Sequence, residues 1–173
     1  KDYLNGIKPD IVATQENPGR LSLTGYAAAH YYSGKYLIYK SAKFTKLRSG
    51  VITMPKGTKP LSDYPSIPNN IRNCPDSSAT VYPSTSNKYA VWAELKDRKT
   101  GIRFIVVDPH LESRKCKFYD DIRNQQMSKL TSDLKKINSA NLPTVIAGDF
   151  NSHSSNANQK YYPGGYDAPK KLL

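Results

Sequence analysis

Three segments of the chain place carboxylate, amide and imidazole side chains directly after a run of apolar residues. The polar residues are Gln15 and Glu16 in the first segment, His110 in the second, and Asp149 and Asn151 in the third. Carboxylate oxygens hold a hard cation such as Mg²⁺, a carboxylate can orient or deprotonate water, and imidazole and amide groups donate hydrogen bonds to phosphate. Such residues can together hydrolyse a phosphodiester bond if the fold brings them to one place.

A buried strand is predicted in front of each polar segment. The apolar runs cover residues 9–14, 102–107 and 143–147, and each is followed by polar residues or a turn residue. In α/β proteins, polar sites usually form beyond the carboxyl ends of buried strands. We therefore expect the three strand ends to converge on one site.

The rest of the pattern predicts an α/β fold. Tyr89 to Leu95 and Ile102 to Val107 are separated by a polar turn, which predicts an antiparallel hairpin. Apolar residues at helical spacing from Phe118 to Ile137 predict an amphipathic helix. Residues 36–39 and 44–52 are further strand candidates, residues 53–88 are predicted to be a long loop, and residues 1–7 resemble the end of a helix stopped by glycine.

Composition limits the class of protein. The chain has 173 residues, enough for one domain with a real core, and its formal charge of +12 favours a polyanionic partner such as nucleic acid or an anionic lipid surface. Scattered, solvated lysines would give the same charge, so this alternative stays open.

No apolar run approaches the ~20 residues of a membrane-spanning helix. Cys74 and Cys116 are either a disulfide or two separate thiols, and their spacing excludes a Cys-x-x-Cys site.

Taken in order, the three segments resemble the conserved blocks of the endonuclease/exonuclease/phosphatase superfamily, the deoxyribonuclease I-like proteins. The blocks are Pro-Asp to Gln15-Glu16, His110-Leu111, and Gly-Asp-Phe-Asn-Ser at residues 148–152. The resemblance implies an α/β (α+β) fold, a four-layer α/β/β/α sandwich. It also implies that residues 1–173 are a single domain without the first strand and the C-terminal part.

The resemblance also implies a role for each polar residue. Glu16 would bind the catalytic Mg²⁺ or Mn²⁺, with Gln15 supporting it through a hydrogen bond. His110 would donate a hydrogen bond to the scissile phosphate. Asp149 would orient or deprotonate the attacking water and also contact the metal, and the amide of Asn151 would stabilise the pentacovalent phosphate.

Four other residues are assigned less directly. Arg114 and Arg123 are candidate contacts to phosphate oxygens, although a solvated cationic face would explain each of them as well. His30 and His153 match no role in the superfamily, and we expect them to be loop residues.

Members of the superfamily also carry an Asn on an initial strand and an Asp-His pair near the C-terminus, and neither feature occurs in these residues. We therefore expect the chain to be a piece of a longer enzyme and to be nearly inactive alone.

The complete protein is expected to be a metal-dependent, monomeric endonuclease acting on DNA or RNA. The alternatives are a phosphodiesterase or phosphatase for lipid head groups or inositol phosphates, and a non-catalytic polyanion-binding domain. The composition is compatible with secretion but does not establish the location.

Overall fold

The structure is a computed structural model that describes residues 2–17, 19, 21–56, 87–113 and 117–152. Arg114, His153, both cysteines and most of the predicted 53–88 loop lie outside these ranges. The helices and strands are, in chain order, α1 (Asp2–Ile7), β1 (Ile11–Thr14), β2 (Tyr26–Tyr32), β3 (Lys35–Lys40), β4 (Phe44–Met54), β5 (Lys88–Asp97), β6 (Arg103–Pro109), α2 (Lys117–Ile137) and β7 (Thr144–Ile146).

The first sheet has the strand order β1-β3-β2, and both pairs are antiparallel. The predicted strands β1 and β3 are confirmed. Strand β2 was not predicted, because its alanines have low strand propensity and give no clear alternation. His30 lies in β2 opposite Leu37 and not in a loop, so its predicted location was wrong. Its Nδ1 lies 3.2 Å from Oγ of Ser49.

The second sheet has the order β4-β5-β6-β7. Strands β5 and β6 form the predicted antiparallel hairpin, and β6 pairs with β7 in parallel. Parallel neighbours need a long connection, and α2, the predicted amphipathic helix, lies between β6 and β7 in the chain. The parallel pairing brings the carboxyl ends of β6 and β7 to the same edge of the sheet.

The two sheets pack face to face over an apolar core. Its buried members come from β2 to β6 and are Ala29, Leu37, Tyr39, Phe44, Val91, Ala93, Leu95 and Val106. Strand β3 is buried on both faces, since alternate residues point in opposite directions. Tyr36 and Ile38 therefore join a second cluster with Val12 and Leu23, against which Leu4 of α1 packs.

The described residues divide into two compact units. The first contains Lys1–Ile52, Tyr89–His110 and Leu134–Asp149, and it holds almost all of both sheets. The second contains Thr53–Lys88, Leu111–Asp133 and Phe150–Leu173, which include most of α2. Among the helices that the structure describes, none is long and apolar enough to cross a membrane.

One buried carboxylate joins three strands of the second sheet. Glu94 of β5 accepts hydrogen bonds from Nε of Arg48 in β4, at 2.6 Å, and from Nε of Arg103 in β6, at 2.7 Å. Burial alone would raise the pKa of Glu94, but the hydrogen bonds from the two guanidinium groups outweigh it and lower the pKa below its ordinary value. The carboxylate is therefore ionised and paired in the folded protein.

We expect the Glu94→Gln variant to be less stable than the wild type by about 1–2 kcal/mol at pH 7. The loss stays modest because both arginine side chains are about half exposed, so their charges remain hydrated. A group with a lowered pKa stabilises the fold above its unfolded pKa and loses that effect as the pH falls. Urea denaturation should therefore show the gap between the two proteins narrowing from pH 7 to pH 3. Equal midpoints at pH 7 would contradict this assignment.

Candidate active site

The structure brings three of the predicted site residues together. His110, at the end of β6, is buried, and its Nε2 lies 3.8 Å from Oε1 of Glu16 and 4.0 Å from Oδ2 of Asp149. The two carboxylates are more accessible, since the side chain of Glu16 is 80% exposed and that of Asp149 is 49% exposed. A buried imidazole thus lies beside two carboxylates that solvent can reach.

The backbone sets the position of Asp149 relative to His110. These two residues form a parallel bridge that continues the pairing of β6 with β7. The N–H of Asp149 donates to the carbonyl of Pro109 at 2.9 Å. Gly148 makes this approach possible, because a Cβ at that position would lie 2.2 Å from the Pro109 carbonyl oxygen.

Glu16 lies two residues beyond the end of β1, in a turn with a left-handed backbone conformation. Its φ is +54°, in the left-handed region that costs a non-glycine residue about 1–2 kcal/mol. The next residue holds this turn in place, since the N–H of Asn17 donates to the carbonyl of Gly34 at 2.9 Å. Gly34 lies in the turn between β2 and β3 with φ +75°, a conformation that glycine adopts without strain.

Gln15 has a partner that the sequence did not reveal. Its Nε2 donates to Oδ1 of Asp108, a carboxyl group on β6 that is completely buried. Within the part of the chain that the structure describes, Oδ2 of Asp108 has no hydrogen-bond partner. Burial raises the pKa of Asp108 to about 7, while the Gln15 hydrogen bond and the charge of Lys35 limit the rise. The sequence feature that could have identified Asp108 is a carboxyl group at the end of an apolar run, two residues before His110.

We expect the Asp108→Asn variant to be more stable than the wild type at pH 8 by about 4 kcal/mol. The folded wild type keeps Asp108 protonated to about pH 7, whereas the unfolded chain ionises it near its ordinary pKa of 3.8. The folded state then binds more protons, so the stability of the wild type falls as the pH rises between these two values. The amide is uncharged and still offers Gln15 an oxygen acceptor. Urea denaturation from pH 4 to pH 8 measures the effect, and identical pH slopes for both proteins would contradict it.

Asn151 belongs to the second unit. Its Nδ2 donates to the carbonyl of Leu111 at 3.0 Å, and its backbone has a φ of +48°. Asparagine tolerates this left-handed conformation better than most residues do. The hydrogen bond fixes the side-chain amide against the residue that follows His110. The predicted contact of Asn151 with phosphate stays a prediction.

Arg123 lies on α2 and is completely buried. Its Nη1 donates to the carbonyl of Glu112 at 2.7 Å, and its Nη2 pairs with Asp120. Gln126, one turn further along the helix, accepts a hydrogen bond from the Glu112 N–H at 3.0 Å. These contacts hold the backbone at Glu112. Its predicted contact with phosphate remains untested, and Arg114 lies outside the described residues.

The donor set at the site suits a hard divalent cation. In the described ranges, no group of three or more His, Cys, Asp or Glu residues could hold a metal ion. Magnesium does not require such a group, because it keeps several water ligands and is usually bound by one or two carboxylates together with substrate phosphates. Glu16 and Asp149 are two accessible carboxylates beside one imidazole, so they fit this mode of binding.

No protein-family model matches the chain, and no curated protein matches it. Several solved structures are similar to the chain. The catalytic domain of human Nocturnin with a bound sulfate anion is 18% identical, with a TM-score of 0.64 over 89% of this chain and 55% of that chain. An endonuclease/exonuclease/phosphatase from Bacteroides vulgatus is 19% identical, with a TM-score of 0.61 over 92% and 59%. A mannosyl-6-phosphatase from Bacteroides thetaiotaomicron is 16% identical, with a TM-score of 0.61 over 92% and 58%.

The chain thus spans a little over half the length of each of these three structures. The likeness extends over about nine-tenths of its own residues, which confirms the predicted α/β sandwich. The chain has the fold of the endonuclease/exonuclease/phosphatase superfamily.

Proposed function

We propose that the complete protein hydrolyses phosphodiester bonds of DNA or RNA by attack of water, with bound Mg²⁺ or Mn²⁺. The observation that carries the proposal is the meeting of Glu16 and Asp149 around Nε2 of His110, at 3.8 and 4.0 Å. Metal ligands, a group that can activate water and a donor to phosphate are the minimum set for this reaction.

Each residue has a distinct role in the proposed reaction. Glu16 and Asp149 would hold the cation, which supplies positive charge to the phosphate when it is bound. Asp149 would orient the attacking water and accept its proton. His110 would donate a hydrogen bond from Nε2 to a non-bridging phosphate oxygen. The Nδ2 group of Asn151 would stabilise the extra negative charge that develops on the phosphorus oxygens.

Nucleic acid is the proposed substrate because the chain carries a formal charge of +12. Such an excess of Lys and Arg raises the local concentration of a polyanion and speeds its association. The fold does not by itself choose the leaving group, since one superfold serves many substrates.

The test is an assay of the full-length protein on plasmid DNA and on single-stranded RNA, with Mg²⁺ and then with excess chelator. Cleavage that the chelator abolishes and added Mg²⁺ restores would support the proposal. A parallel panel should contain sphingomyelin and inositol phosphates. Turnover of those compounds without cleavage of nucleic acid, or cleavage that ignores the chelator, would overturn it. Salt-sensitive binding without any turnover would instead indicate a polyanion-binding domain.

A further inference from the structure

An aromatic pair joins the hairpin formed by β2 and β3 to β5. The side chain of Tyr32, the last residue of β2, packs edge-to-face on Tyr89, with ring centroids 4.9 Å apart and an interplanar angle of 73°. Lys35 lies on the other side of the turn, with its Nζ 5.9 Å from the centroid of the Tyr89 ring. Tyr32 is 42% exposed, so part of its ring is accessible to solvent.

This pair lies beside the candidate active site. The turn between Tyr32 and Lys35 contacts the Glu16 turn, because a Cβ at Gly34 would lie 3.7 Å from Cα of Glu16. The carbonyl of Tyr89 accepts a hydrogen bond from the N–H of His110 at 3.4 Å, so Tyr89 is also bound to the segment that carries His110. Tyr32 and Tyr89 therefore connect the segment that carries Glu16 with the segment that carries His110.

The preceding residue, Tyr31, provides an internal comparison. It is 40% exposed, but it packs on Tyr36, with ring centroids 5.6 Å apart. Tyr36 is a buried member of the cluster on the opposite face of the first sheet, together with Val12 and Ile38. Consecutive strand residues point to opposite faces, so Tyr31 and Tyr32 are equally exposed on different sides of the same strand.

We propose that Tyr32, supported by Tyr89, stacks on a nucleobase adjacent to the scissile phosphate. The inference rests on the proposed function and names the part of the substrate that this surface recognises. An aromatic ring that its neighbours already hold in place loses little conformational freedom when a base stacks on it. Every nucleobase offers a flat π-face, so such a contact favours nucleic acid without choosing a sequence. Inositol phosphates and phospholipid head groups have no aromatic ring to place there.

The decisive comparison uses two single-stranded oligonucleotides of equal length, one with bases and one built entirely from abasic sites. Both carry the same phosphates, so electrostatic attraction is matched and the strands differ in the presence of bases. Fluorescence anisotropy with the full-length protein, in chelator to prevent turnover, measures the two dissociation constants. We expect the strand with bases to bind about tenfold more tightly, since one stacked base contributes on that order.

The Tyr32→Leu variant should lose most of this preference for bases, and Tyr31→Leu should keep it. Tyr32→Phe should behave like the wild type because stacking needs the ring and not the hydroxyl group. It also keeps the contact with Tyr89, so a loss that occurs in Tyr32→Leu and not in Tyr32→Phe is due to the ring and not to the hydroxyl group. Equal affinity of the wild type for both strands, or equal losses in the Tyr31→Leu and Tyr32→Leu variants, would overturn the inference. Absence of Mg²⁺-dependent cleavage would instead overturn the proposed function, because the binding assay needs no turnover.

Discussion

The Asp149→Asn variant of the full-length protein should cleave nucleic acid with a kcat lower than that of the wild type by about 10²–10⁴-fold. The amide has nearly the same shape as the carboxylate and keeps one oxygen that can bind a cation. It can neither accept a proton from water nor supply negative charge to the metal. The backbone hydrogen bond from Asp149 to Pro109 does not involve the side chain, so the fold should be retained.

Initial rates measured over a range of Mg²⁺ concentrations give kcat and the Mg²⁺ concentration needed for half activity. Both should change, because Asp149 is proposed to act on water and to help Glu16 hold the cation. Asp133→Asn is a matched control, since it removes an acidic group that pairs with Lys129 on α2 and lies outside the proposed site. A change in kcat of less than about tenfold for Asp149→Asn would be incompatible with a proton-accepting role.

Replacing Gly148 with Ala should both destabilise the protein and nearly abolish its activity. The added Cβ would lie 2.2 Å from the carbonyl oxygen, 2.8 Å from the nitrogen and 2.7 Å from Cδ of Pro109. These atoms belong to backbone or to a ring, so they cannot rotate away as a flexible side chain would. The end of β7 must move away from β6. That movement would break the hydrogen bond from Asp149 to Pro109 and carry the carboxylate away from His110.

We expect a loss of about 2–3 kcal/mol in the free energy of unfolding, within the range for overpacked sites, and a fall in kcat comparable to that of Asp149→Asn. Urea denaturation and steady-state kinetics measure the two effects. Gly6→Ala is the control, because nothing lies within 4 Å of its Cβ position and alanine favours the helix there. A Gly148→Ala protein with normal stability and normal kcat would show that β6 and β7 need not approach this closely.

The strands that end at the site could be predicted because their signals are local. An apolar run followed by Gln15-Glu16, or by Gly148-Asp149, identifies a strand with a polar end from a few neighbouring residues. The prediction that the second of these strands is buried was wrong, since Thr144 and Val145 of β7 are exposed. The β5–β6 hairpin and the helix α2 were predictable for the same reason, since turn residues and helical spacing act over short distances. Strand β2 has no such local signal. It is a strand because it pairs with β3, which sequence periodicity does not show.

Side-chain contacts that depend on tertiary packing could not be predicted in the same way. Asp108 is a buried partner of Gln15, but these residues are 93 positions apart. Arg123 was a candidate contact to phosphate, with a solvated cationic face as the alternative, and its complete burial against Glu112 and Asp120 rules out the solvated face. Such contacts depend on which elements meet after folding, and burial then decides whether a charge is solvated, paired or neutralised.

The sequence by itself determined the chemistry that is available: two carboxylates, an imidazole and amides, each placed after a predicted buried strand. Only the tertiary structure decided that Glu16 and Asp149 lie within about 4 Å of one imidazole nitrogen. It also decided that Tyr32 and Tyr31 are exposed on opposite sides of one strand. The physical reason is that side-chain type and local periodicity are encoded by neighbouring residues. Distances between strand ends depend instead on sheet pairing between distant segments, and on the missing Cβ of Gly148 that lets two of them approach.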